Sequence, residues 1–206
     1  MVSAAKLRRA QDAIIQMRPY AKKLQEMLSN IVSNVDSSAN IALAEVRAVK
    51  KVLLIVITSD RGLCGAYNAN IQKAALSTIQ QRYSEVHGNG NLSIWAIGKK
   101  GAEFFQKRGY KVDTRFRDIF LQLSFEGVQV CAQEAIRAFG NKEFDAVEIV
   151  YSEFKNAATQ RFVSEPFLPI PKHENANGEK TQKADFIFEP AQEILIAELD
   201  RKSTRL

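Results

Sequence analysis

The residues best placed to do chemistry lie in one stretch, Ser59-Asp60-Arg61-Gly62-Leu63-Cys64-Gly65-Ala66-Tyr67-Asn68. It follows an apolar run, Lys51 to Thr58, and precedes a helical pattern. Open α/β sheets place ligand loops at such strand ends. A phosphate loop needs a Lys-Ser/Thr pair after its second glycine, and Ala66-Tyr67 stand there instead. A dinucleotide fingerprint needs three glycines, and only Gly62 and Gly65 occur. Nucleotide binding by this chain is therefore not expected, and the glycines read as a tight turn allowing close packing. Asp60 and Arg61 are expected to lock that turn by ion pairing. Cys64 precedes a helix, which can lower a thiol pKa, but no second cysteine pairs with it. A small buried hydrophobe is its alternative role. His87 and His173 have no companion at metal-ligand or triad spacing. No catalytic residue, cofactor or metal is expected.

Behind this turn stands a long helical pattern. Leu7, Ala10, Ile14, Met17, Ala21, Leu24, Leu28, Ile31 and Val35 recur at alternating steps of three and four. That is the apolar seam of a left-handed coiled coil. A one-sided seam needs a facing helix, and no second helix of that length is expected in the chain. Charge collects on the same element. The chain carries +6 overall. Its first 51 residues hold nine Lys/Arg, among them Lys6, Arg8, Arg9, Arg18, Lys22 and Lys23, against four Asp/Glu. A solvated polar face accounts for them, and so does an acidic partner close to the helix.

The remaining elements follow from periodicity. One helix is expected over residues 2–48, bent but unbroken at Pro19. A strand over 51–58, a helix over 68–86 and a loop over 87–91 follow. Next come a strand over 92–97, a helix over 99–107 and a strand over 110–114. Ser124 caps a helix over 125–139 that Gly140 stops. Strands over 145–154 and 160–168 form a hairpin around Asn156-Ala157-Ala158. Residues 173–184 are polar, 186–188 read as a strand, and Pro190 opens a last helix. The fold class is α/β: a long N-terminal coiled-coil helix (1–50) followed by a Rossmann-like α/β domain with a mostly parallel sheet (51–200). Residues 201–206 form an atypical tail. No stretch has the length of a transmembrane helix, and the start has no apolar core of a signal peptide.

Three stretches, in order, resemble the gamma subunit of F-type ATP synthase, the central rotor shaft. They are Met1 to Gln11 with Met17-Arg18-Pro19-Tyr20-Ala21, then Thr58 to Gly65, then Phe186-Ile187-Phe188-Glu189-Pro190. The resemblance implies a non-catalytic subunit that binds no nucleotide and couples proton flow through the c-ring to ATP synthesis at the beta subunits. Its implied partners are the alpha and beta subunits, the epsilon subunit and the c-ring, at the cytoplasmic face of a bacterial plasma membrane. It also implies that the seam pairs with a C-terminal family helix lying, like a short opening segment, outside this sequence, and that 201–206 are foreign. Lys6, Arg8, Arg9, Arg18, Lys22 and Lys23, with Arg61, Gly62, Leu63, Cys64 and Gly65, then lie near acidic lever arms of the beta subunits. A basic coiled-coil nucleic-acid-binding or scaffold protein with an α/β domain is the alternative, and salt-dependent DNA binding would reveal it.

Overall fold

The computed structural model describes residues 2–34, 42–156 and 159–170. They fall into two units, an N-terminal helical one and an α/β one.

The first unit holds α1, Val2–Asn34. Its sequence is rich in Ala, Leu, Met, Gln, Lys and Arg, the strongest helix formers. The helix runs through Pro19 without a break. The seam residues Leu7, Ala10, Ile14, Met17, Ala21 and Leu24 are exposed. Leu28 and Ile31 belong to the same helix, and Val35 lies outside the described residues.

The expected helix to residue 48 is not found over its last part. Ala42–Ala44 form a single 3-10 turn, and the chain from there to β1 has no helix. Distant groups hold this stretch and the two residues before β1. The Asp145 carboxylate accepts from the Lys50 and Lys51 N–H groups at 3.0 and 2.9 Å. The Arg47 guanidinium lies over the Phe139 ring and donates to the Phe139 carbonyl at 3.0 Å. Ile170 N–H donates to the Leu43 carbonyl at 2.9 Å. Long-range bonds here outweigh a local helical preference.

The α/β unit is built on a five-stranded sheet of order β3-β2-β1-β4-β5. The strands are β1 Val52–Ile57, β2 Leu92–Ile97, β3 Val112–Asp113, β4 Ala146–Phe154 and β5 Gln160–Leu168. The first four are parallel, and β5 returns antiparallel to β4. The helices are α2 Tyr67–Arg82, α3 Ser84–Gly88, α4 Lys99–Lys107 and α5 Phe125–Gly140. Strand side chains alternate between two apolar layers. Leu54, Val56 and Ile94 pack with Ile71, Ala75 and Ile79 of α2 and Phe105 of α4. Leu53, Ile55 and Trp95 pack with Cys131, Ala135 and Phe139 of α5. Each fully buried large side chain contributes about 1.5–3 kcal/mol, so strands covered on both faces anchor the unit.

Other expectations need correction. The 68–86 helix is interrupted at Tyr83, whose half-buried ring packs on the core. His87 and Gly88, expected in a loop, end α3, and the His87 ring stacks on Tyr110 at 4.8 Å. The strand expected over 110–114 shrinks to Val112–Asp113, and a 3-10 turn over Ile119–Gln122 was not expected. Ser124 caps α5 as expected, accepting from Gly127 N–H at 3.1 Å. Gly140, however, is helical and does not stop α5. The left-handed residue is Lys142, at φ 60°. Glu143 N–H reaches the Ala138 carbonyl at 2.9 Å, closing a Schellman-type end. The expected polar stretch 173–184, strand 186–188, helix from Pro190 and tail 201–206 lie outside the described residues, as do Ala157 and Ala158 of the hairpin turn.

Glu148 of β4 is 2 % exposed. Arg82 at the end of α2 pairs with it, and Ser164 of β5 donates to it at 3.3 Å. Removing the cation leaves a buried carboxylate without its counter-charge. Arg82→Met is expected to lower unfolding stability by about 3 kcal/mol, because Arg82 itself keeps about half its surface in water. The double variant Arg82→Met, Glu148→Met should recover most of the loss. Urea unfolding of the three proteins measures both.

A second tether joins α5 to the sheet edge. Arg137 donates to Glu134 at 2.7 and 2.8 Å, and Arg115, itself paired with Asp113, donates at 3.3 Å. The Arg137 hydrogen bonds, then those of Arg115, pull the Glu134 carboxyl from 4.5 down to about 2. A depressed carboxyl stabilises the fold above its unfolded pKa, and that contribution fades as pH falls towards the folded one. Stability should therefore decline between pH 4.5 and about 2, and Glu134→Gln should flatten that decline. Denaturation midpoints across the acid range read the slope.

Candidate functional site

The turn after β1 rests on Thr58, 1 % exposed. Its Oγ1 accepts from Gly101 N–H at 2.8 Å and donates to the Ile97 carbonyl at 3.3 Å. Thr58 N–H also donates to the Ile97 carbonyl, at 2.8 Å. No side chain fits opposite. A Cβ on Gly98, where φ is 94°, would run into the Thr58 carbonyl, and one on Gly101 would lie 2.8 Å from Thr58 Oγ1. The ends of β1 and β2 and the start of α4 therefore meet at one joint.

Polar groups of the turn bind one another or this joint. Asn68 Oδ1 accepts from Ser59 N–H at 3.0 Å, and Ser59 Oγ donates to the Arg61 carbonyl at 2.6 Å. Asn68 Nδ2 donates to Ser59 Oγ at 2.8 Å and to Cys64 Sγ at 3.1 Å. The Asp60 carboxylate accepts from Lys99 N–H at 3.1 Å, at the start of α4. A negative group there satisfies an orphan donor and the positive helix end. The expected Asp60–Arg61 ion pair is absent among the described residues, because Asp60 holds α4 instead.

Beyond these bonds the turn projects. Arg61, Gly62, Leu63, Cys64 and Gly65 are all exposed. Close packing does not explain the glycines, since a Cβ at Gly62 or Gly65 would meet nothing within 4 Å. Gly65 is required by its backbone, at φ 59°. Leu63 has nearly the same φ, 60°, without being glycine, and is 109 % exposed. A left-handed L-residue costs about 1–2 kcal/mol. The buried-hydrophobe role fails for Cys64, which is exposed, and fits Cys131. Burial lifts the Cys131 thiol to about 11.

The basic candidates form a separate group. Arg8, Arg9, Arg18, Lys22 and Lys23 are exposed on α1, and Lys6 lies in the same helix. At about 100° per residue, Arg8, Arg9, Lys22 and Lys23 fall away from the seam, and Arg18 flanks it. These cations share their arc of α1 with the exposed Ile15 and with Asp12. Sequence reasoning missed Thr58, Gly98, Gly101 and the true partner of Asp60. Glycine in the first turn of a helix is a poor helix former, and Gly101 could have signalled the joint. Among the described residues no group of His, Cys, Asp and Glu could hold a metal ion, and no helix is long and apolar enough to cross a membrane. The turn is a projection braced at its base, with Arg61 to Gly65 standing in solvent.

Comparison with known proteins gives the family. A family model described as ATP synthase matches residues 1–205. The ATP synthase gamma chain of Cytophaga hutchinsonii is 42% identical over 207 residues, spanning 100% of this chain and 70% of that one. That of Chlorobaculum tepidum is 44% identical over 200 residues, spanning 97% and 68%. Among solved structures, a chain of the Tetrahymena thermophila mitochondrial ATP synthase central stalk and c-ring shares the fold. Its TM-score is 0.59 at 19% identity, with 99% of this chain and 84% of that chain covered.

The two cysteines give a direct check of the turn. In the folded protein a disulfide reagent such as Ellman's should modify one thiol, Cys64. Cys131 should react only after denaturant is added. Cys64→Ser should abolish the native reaction and leave the denatured one.

Proposed function

Because this chain belongs to the ATP synthase gamma-chain family, we propose that it acts as the non-catalytic central-stalk rotor of a proton-translocating F-type ATP synthase. The family places it as a subunit of a membrane-associated complex. Our finer reading is that it turns with the c-ring at the cytoplasmic face of a bacterial plasma membrane, beside the epsilon subunit. It transmits that rotation to the ring of alpha and beta subunits, where an asymmetric shaft shifts the nucleotide affinity of each beta site. The chain touches the membrane only through the c-ring and binds neither nucleotide nor nucleic acid.

The exposed seam of α1 carries this reading. Several large apolar residues stand in water along the seam of α1, and cations stand at positions outside it. Pairing with a second helix removes that apolar surface from water. The cationic arc then faces outward, towards acidic lever arms of the beta subunits. Exposed ion pairs are worth about 0–1 kcal/mol each, weak enough to break at every step of rotation. Arg61 to Gly65 are read as the second contact with the same arms.

Disulfide trapping tests the assignment. A complete gamma chain carrying this sequence is assembled with alpha and beta subunits, and a cysteine is placed on the beta lever arm. Mild oxidation should join it to Cys64 and stop ATP hydrolysis, and reductant should restore activity. A crosslink through Cys131, or none in any rotary state, removes Arg61 to Gly65 from the contact.

A further inference from the structure

We propose that Leu63 is the anchor of the turn: its side chain enters an apolar socket on the partner, and Arg61 engages carboxylates at the socket rim. This deepens, and rests on, the reading that the turn faces the beta subunits. Leu63 combines full exposure with a backbone conformation unusual for its type. It is fully exposed and apolar, and it holds a left-handed backbone at φ 60° that asparagine or glycine adopts more readily. Neither feature serves the α/β unit, whose core lies elsewhere.

The surroundings suit an anchor. Ser59, Asp60, Cys64 and Asn68 turn their polar groups to one another or to α4. The base of the turn is therefore set before any partner arrives, which lowers the ordering cost of binding. Charge identifies the rim. Lys99 and Arg117 pair with Asp118, and Lys100 pairs with Glu103. Arg61 has no carboxylate partner among the described residues. An apolar side chain beside one guanidinium without a carboxylate partner among the described residues matches an apolar socket edged with acid, and arginine is among the residues enriched in binding hot spots.

Leu63→Asn separates anchoring from folding, because asparagine tolerates the left-handed conformation. The thermal midpoint of the variant should be unchanged or higher. In a complete gamma chain assembled with alpha and beta subunits, its dissociation from the alpha–beta hexamer should be at least tenfold faster, and the Cys64 crosslink to the beta lever arm slower. Leu63→Met should behave like the parent. Arg61→Gln should make dissociation less sensitive to salt. If Leu63→Asn dissociates within twofold of the parent while Cys64 still crosslinks, the anchor is wrong and the contact stands. If the parent itself gives no Cys64 crosslink, the contact and the anchor fall together.

Discussion

The close approach of Thr58 to Gly98 and Gly101 is the constraint on which the rest of the α/β unit depends. The threonine hydroxyl is buried where two parallel strands end and a helix begins, and it bonds to both. Because no Cβ fits at Gly98 or Gly101, α4 starts hard against the end of β1. That position brings Lys99 N–H within reach of Asp60, and Asp60 in turn fixes the path of the turn. In related α/β arrangements a helix start at this end of the sheet is a place for a ligand anion. Here the chain supplies the anion itself.

The sheet was readable from sequence wherever one segment decided its own state. Val52 to Ile57 is apolar and mostly β-branched, Leu92 to Ile97 is apolar but for Ser93, and both are strands buried on both faces. The Lys99–Lys107 helix and the β4–β5 hairpin followed from period and turn residues. Failures cluster where distant groups decide. Residues 45–48 lose their helix where Arg47 reaches the carbonyls of Phe139 and Phe144, and Asp145 holds Lys50 and Lys51 just beyond. Tyr83 leaves α2 because its ring has a place in the core. At the end of α5 the left-handed role passes from glycine to Lys142, which no composition rule anticipates.

The candidate site was legible in its location and not in its wiring. Two glycines after a buried strand marked the turn. Spacing could not reveal that Gly62 and Gly65 face open space while Gly98 and Gly101 make the close contact. Nor could it choose between Arg61 and the α4 backbone as the partner of Asp60, since a fixed N–H 39 residues along the chain leaves no local trace. The seam of α1 was readable because its steps of three and four lie within the residues of a single helix.

The position of β1 within the sheet has a mechanical consequence. Its register runs with β2 from Val52↔Leu92 to Ile57↔Ile97 and with β4 from Val52↔Ala146 to Val56↔Val150. The turn leaves the end of this doubly bonded strand. A tug on Leu63 along the strand axis does not peel one hydrogen bond at a time. It loads both ladders in shear, so many bonds share the force and must yield together. Stiffness in that direction comes from the topology of the sheet, and the turn works as the free end of a bar clamped along both sides.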